Sequence, residues 1–164
     1  MSDLPQRRSI RYGGYDYSMA GYYALTPCAA DKACVFGLLP VPDTEGAELP
    51  PLVPSALGAL VQAELLALPT RHPATRLDAW VLMPNHLHLV LVILKNQQVR
   101  LAQVVGALKS RVYGGWRQHH LAAGEPAPSS PWQRNYCERI VRDAAELAGH
   151  RRYIGQNPIR WHNR

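Results

Sequence analysis

Near the middle of the 164-residue chain, the run Met83-Pro84-Asn85-His86-Leu87-His88-Leu89-Val90 sets two histidines two residues apart within a strand-like pattern. Successive strand side chains alternate between faces, so His86 and His88 point one way while Leu87, Leu89 and Leu91 point the other. Two neighbouring imidazoles can clamp a divalent cation. Neutral imidazole suits Zn, Mn, Fe, Ni and Cu alike, and two protein ligands leave positions open for water and substrate. The same spacing also occurs in a solvent-facing histidine pair on a half-buried strand, so the pair alone does not specify a metal centre.

The elements that must position this pair are readable around it. Leu77 to Leu94 reads as two strands joined at Met83-Pro84-Asn85, because Pro84 lacks an N–H and Asn85 tolerates turn geometry. Before the turn Leu77, Ala79, Val81 and Met83 alternate with Asp78, Trp80 and Leu82. After it the strand is apolar apart from the histidines, the pattern of a central strand covered by helices on one side. Upstream, Tyr22 to Thr26 reads as an opening strand that Pro27 should end or push to an edge. A loop spans Gly37 to Pro54, and Ser55 to Leu68 carries helical spacing through Leu57, Leu60, Val61, Leu65 and Leu66, with Ser55 as N-cap.

Downstream, a turn at Lys95-Asn96-Gln97-Gln98 leads to a helix from about Leu101 to His120. Its apolar stripe leaves Lys109, Arg111 and Arg117 toward solvent or ligand. A flexible connection covers residues 122–131, Trp132 to Val141 contains a short strand, and Asp143 to Gln156 is a last helix capped by Asp143. This order matches an α+β, ferredoxin-like or RRM-like split βαβ plan: one domain over residues 1–164, an antiparallel sheet with helices on one face, and a terminal helix. That plan hosts many activities and by itself selects none.

Charge narrows the partner. The chain carries a formal net charge of +6 with a pI near 9.5. Its cations cluster at Arg7, Arg8 and Arg11, at Lys109, Arg111 and Arg117, at Arg134, Arg139 and Arg142, and at Arg151, Arg152, Arg160 and Arg164. Such clusters favour a polyanion, and tyrosines and tryptophans lying among arginines suit stacking on single-stranded nucleic acid. A hydrophobic share of 47% supports a real core. The absence of a membrane-length apolar run or a signal-like apolar N-terminus leads us to expect a soluble, cytoplasmic protein with no membrane partner. Cys28, Cys34 and Cys137 form an odd set without paired short spacings, and read as reduced thiols.

Five stretches taken in order resemble one family, the single-tyrosine HUH (insertion-sequence) transposases, and most closely their REP-associated tyrosine transposase branch. They are Arg7-Arg8-Ser9-Ile10-Arg11 with Gly14-Tyr15-Asp16-Tyr17, Trp80 to His88, Val105-Gly106-Ala107-Leu108-Lys109-Ser110, Trp132-Gln133-Arg134-Asn135-Tyr136, and Tyr153-Ile154-Gly155-Gln156-Asn157-Pro158. The resemblance as a whole covers residues 7–161 and implies a nucleoid-associated protein of bacterial type. The resemblance implies that His86 and His88 hold Mg²⁺ or Mn²⁺, that Asn157 is the third metal ligand, and that helix-borne Tyr153 is the nucleophile. Residues four apart stack on one helix face, so Tyr153 and Asn157 can address one site.

The activity implied is that of a metal-dependent single-stranded DNA endonuclease and strand transferase, a transposase that cleaves next to DNA hairpins through a 5′-phosphotyrosine intermediate. A phenol titrates near pH 10, so a tyrosine nucleophile needs help in losing its proton. The expected DNA contacts are Arg7, Arg8, Arg11, Lys109, Arg111, Arg134, Tyr136, Arg151 and Arg152, on single-stranded or hairpin (palindromic-repeat) DNA, by a monomer or homodimer. The competing reading is a non-catalytic hairpin DNA- or RNA-binding module of the same fold, a decayed or domesticated transposase. A zinc hydrolase or deaminase would need a Cys-x-x-Cys pair or a nearby acidic catalyst that the motif lacks.

Overall fold

A computed structural model describes residues 20–42, 44, 48–94 and 99–163. Arg7, Arg8 and Arg11 and the turn expected at residues 95–98 lie outside the described residues. Strand β1 (Gly21–Ala29) is followed by a 3₁₀ turn at Ala30–Lys32 and by a two-residue pair, β2 (Gly37–Leu38) with β3 (Val53–Pro54). Then come α1 (Ala56–Leu66), α2 (Leu68–Arg71), β4 (Thr75–Met83), β5 (His86–Ile93), α3 (Leu101–Ala122), β6 (Trp132–Val141) and α4 (Ala144–His162). The four long strands form one antiparallel sheet in the order β4-β5-β1-β6. Strand, helix, strand, strand, helix, strand with that order is the split βαβ arrangement expected from the sequence.

One sheet face carries the main core. Tyr23 and Leu25 of β1 and Leu87, Leu89, Leu91 and Ile93 of β5 meet Leu57, Val61 and Leu65 of α1 and Val104, Val105, Leu108 and Val112 of α3, all buried. Each such side chain contributes about 1.5–3 kcal/mol relative to exposure, enough to hold β5 rigidly in the sheet. The capping expected at Ser55 is present: its hydroxyl accepts from the Gly58 N–H at 3.0 Å and donates to the Val35 carbonyl at 2.6 Å. Gly58 is required by contact, since a Cβ there would sit 1.7 Å from the Phe36 carbonyl oxygen.

Three local expectations change. Pro27 neither ends β1 nor moves it to an edge. The strand runs on to Ala29 at the centre of the sheet, and a pairing irregularity between Pro27 and Ala29 on the β6 side absorbs the missing N–H. A second irregularity, between Leu77 and Ala79, breaks strict alternation in β4. Leu77 therefore joins Trp80 against the helical core, while Ala79 and Val81 face the opposite side with Val90 and His88. Finally, α4 does not stop at Gln156; it continues through Pro158 to His162. Proline costs the carbonyl four residues earlier its helical partner, and the packing of the last two turns overrides that local preference.

Helix α4 packs across β4 and β5 on the face opposite α1 and α3. Its start is fixed by the expected cap: the Asp143 carboxylate accepts from the Glu146 N–H at 2.8 Å. Glu146 in turn accepts from the Arg142 backbone N–H at 2.8 Å and from its guanidinium at 2.6 and 3.0 Å, which holds the Glu146 carboxyl at a pKa of about 2. A two-pronged ion pair from Arg151 to Asp78, at 2.6 and 2.8 Å, pins the helix to β4. Hydrogen bonding from Arg151 keeps the Asp78 carboxyl below its usual range.

Candidate functional site

His86 and His88 lie on the face of β5 that α4 crosses, with ring centroids 4.5 Å apart. Both are fixed through Nδ1. The His86 Nδ1 is 2.6 Å from the Asn85 Oδ1, and the Asn85 Nδ2 donates to the Lys32 carbonyl at 3.2 Å. The His88 Nδ1 lies 2.8 Å from the hydroxyl of Thr26, which the β1–β5 register places opposite it.

Helix α4 brings one residue per turn over this pair. The Tyr153 ring meets His88 edge-on at 5.2 Å, and two turns on Trp161 lies 6.1 Å from His86. Asn157, halfway between them on the same stripe, is therefore carried over the histidines. It is only 3% exposed, and its Nδ2 is a buried polar atom with no partner among the described residues. A buried primary amide offers either oxygen or nitrogen to one spot by a half-turn. Two imidazoles and an unsatisfied buried amide fit a divalent cation as donors, and the phenol of Tyr153 stands beside them, 36% exposed, at solvent. No group of three or more His, Cys, Asp or Glu among the described residues has metal-holding geometry.

The other expected site residues separate. Arg152 is exposed on α4 next to Tyr153, whereas Arg151 is engaged by Asp78. Lys109, Arg134 and Tyr136 lie together where α3 meets edge strand β6, away from the histidines. There the Lys109 ammonium donates to the carbonyls of Gln133 (2.7 Å) and Arg134 (3.3 Å) and sits 5.4 Å from the centroid of the Tyr136 ring. Burial lowers the Lys109 pKa. Tyr136 packs on the helix-side core, and Arg111 is 3.8 Å from Glu64.

Four residues at the site were not expected from sequence: Thr26 and Asn85 as ring partners, Trp161, and Arg160, whose guanidinium lies 5.0 Å from the centroid of the Tyr153 ring. Extending the four-residue stripe past Pro158 would have found Trp161. A cleft of about 600 Å³ opens between β1, β6 and α4 beside Tyr153 and His88, with Arg139, Glu146 and His150 in its walls. Burial, and then the nearby Arg139 charge, lower the His150 pKa.

A four-stranded antiparallel sheet with two helices on one face and, on the other, a helix-borne tyrosine over a His-x-His strand defines a ferredoxin-like domain with a candidate phenol–imidazole centre. Comparisons place that domain among relatives. No family model matches the chain. An uncharacterized protein of Haemophilus influenzae is 29% identical over 177 residues, covering 96% of this chain and 91% of the relative. A second protein of that organism, described as a "putative REP-associated tyrosine transposase", is 28% identical over 82 residues, 48% of this chain and 47% of its own length.

Among solved structures, a REP-associated tyrosine transposase bound to a REP hairpin superposes with a TM-score of 0.64 at 16% identity, over 92% of this chain and 73% of that one. A putative transposase from Deinococcus radiodurans gives a TM-score of 0.52 at 18% identity, over 89% and 95%. The chain is similar to REP-associated tyrosine transposases in sequence, and it shares their fold. Among the described residues no helix is long and apolar enough to cross a membrane.

Proposed function

We propose that the chain is a REP-associated tyrosine transposase: an enzyme that nicks single-stranded DNA next to hairpins and transfers the strand through a 5′-phosphotyrosine on Tyr153. The observation that carries this reading is the Tyr153 ring edge-on to His88, one helical turn before buried Asn157. His86, His88 and Asn157 would hold Mg²⁺ or Mn²⁺, which supplies charge stabilisation on the scissile phosphate. The phenol gives up its proton, its oxygen forms the new bond to phosphorus, and the P–O3′ bond breaks to release a 3′-hydroxyl once that oxygen takes up a proton. Arg160, 5.0 Å from the centroid of the phenol ring, adds positive charge beside the reacting group, and we assign exposed Arg152 to holding the strand. Because the phosphodiester energy stays in the phosphotyrosine, a second 3′-hydroxyl can reverse the attack and join new ends without ATP.

The relative whose structure contains a REP hairpin supports hairpin DNA as the partner, and the basic composition supports a polyanion. The reading also takes in one domain, a cytoplasmic location, and a monomer or homodimer. The test is adduct trapping with a labelled hairpin bearing a single-stranded flank, in Mn²⁺. Tyr153→Phe should lose the covalent protein–DNA adduct and keep hairpin binding, and Tyr136→Phe, on the opposite sheet face, should form it. An undiminished adduct in Tyr153→Phe would overturn the assignment, and a parent that binds hairpins but never cleaves would favour the non-catalytic module.

A further inference from the structure

We infer that Asn85 is a positioning residue that sets the tautomer of His86, and that the turn at Ala30–Lys32 exists in part to aim Asn85; this rests on the metal reading proposed above. The Lys32 carbonyl can only accept, so the amide group facing it at 3.2 Å must be the NH₂. The other end of the Asn85 amide, 2.6 Å from the His86 Nδ1, is therefore its carbonyl oxygen, which can only accept. In neutral His86 the proton must then sit on Nδ1 and the lone pair on Nε2. An unconstrained neutral histidine favours the opposite form. Without Asn85, His86 would have to shift its proton before Nε2 could ligate a cation.

The aim of Asn85 is itself held. The backbone carbonyl of Asn85 accepts from the Ala29 N–H at 2.9 Å, and that of Pro84 accepts from the Phe36 N–H at 2.9 Å, so the β4–β5 turn is clasped by the chain leaving β1. Within that chain Asp31 and Lys32 both adopt left-handed backbone angles, φ 53° and 55°, unusual for residues with a side chain. Two consecutive strained residues persist only where surrounding contacts over-determine them, and here they present the Lys32 carbonyl to the Asn85 amide. Outer hydrogen bonds of this kind orient a histidine ligand, and their loss typically costs 10- to 100-fold in metal affinity.

The test uses the full chain with ¹⁵N-labelled histidine. In the metal-free parent near neutral pH, His86 should show the Nδ1–H tautomer; Asn85→Ala should shift it toward Nε2–H and weaken Mn²⁺ binding by calorimetry about 10- to 100-fold. Asn85→Asp, whose carboxylate still accepts from Nδ1–H but cannot donate to the Lys32 carbonyl, should keep the tautomer and restore the affinity only in part. A parent found in the Nε2–H form, or an Asn85→Ala protein with unchanged tautomer and affinity, would overturn the role of Asn85. The parent spectrum decides even if Asn85→Ala fails to fold. A parent with the Nδ1–H form that binds no Mn²⁺ would instead overturn the metal reading of the site.

Discussion

Replacing Asn157 with alanine should make the metal-free protein more stable and the metal-bound protein less stable than the parent. Asn157 is 3% exposed and leaves a buried donor without a partner among the described residues, a defect that costs about 1–3 kcal/mol. Alanine removes that defect and gains about 0.6 kcal/mol in helix propensity, against about 1 kcal/mol for the small void left behind. The net gain is about 1 kcal/mol, or about 2–4 °C in Tm for a domain of this size. A cation at a hundred times its Kd stabilises the parent by about 2.7 kcal/mol, about 5–11 °C. The variant, short of one ligand, should gain far less. Thermal unfolding in chelator and then in excess MnCl₂ should therefore reverse the order of the two proteins. A variant less stable than the parent in chelator, or equal metal-induced shifts in both, would refute the idea that Asn157 is kept unsatisfied for a ligand.

Gly58→Ala should cost about 3 kcal/mol or more in chemical denaturation, because the new methyl would overlap the Phe36 carbonyl at 1.7 Å and force α1 off the loop. Acid should loosen the anchoring of α4. Folding depresses the Asp78 and Glu146 pKa values, so their stabilisation is complete above the ordinary carboxylate range and fades as pH falls through the folded values, about 2 for Glu146. Tm should drop below pH 4.5 in the parent, and Asp78→Asn with Glu146→Gln should flatten that slope. Hairpin affinity should fall steeply with salt, and Arg152→Ala should reduce the log–log slope by about 0.7 for a lost single-strand phosphate contact; an unchanged slope would remove Arg152 from the DNA path.

Local chemistry was enough for several elements. The reversal at Met83-Pro84-Asn85, the shared face of His86 and His88, the caps at Ser55 and Asp143, and the stripe through α3 all follow from side-chain period and backbone restriction within a few residues. The order of those elements pointed to the ferredoxin-like sheet. The remaining features depend on contacts between distant segments. Thr26 meets His88 across 62 residues and Lys32 meets Asn85 across 53, pairings set by strand register and loop path. The irregularity at Asp78 puts Leu77 on the face opposite to the one that strict alternation gives it, and the one at Pro27 lets β1 run on as an inner strand. The continuation of α4 past Pro158 reflects packing against β4 and β5, a cross-sheet energy that a local propensity cannot anticipate. That same packing carries Tyr153 and Asn157 to the histidines while leaving Tyr136, in an equally family-like motif, on the far side of the sheet.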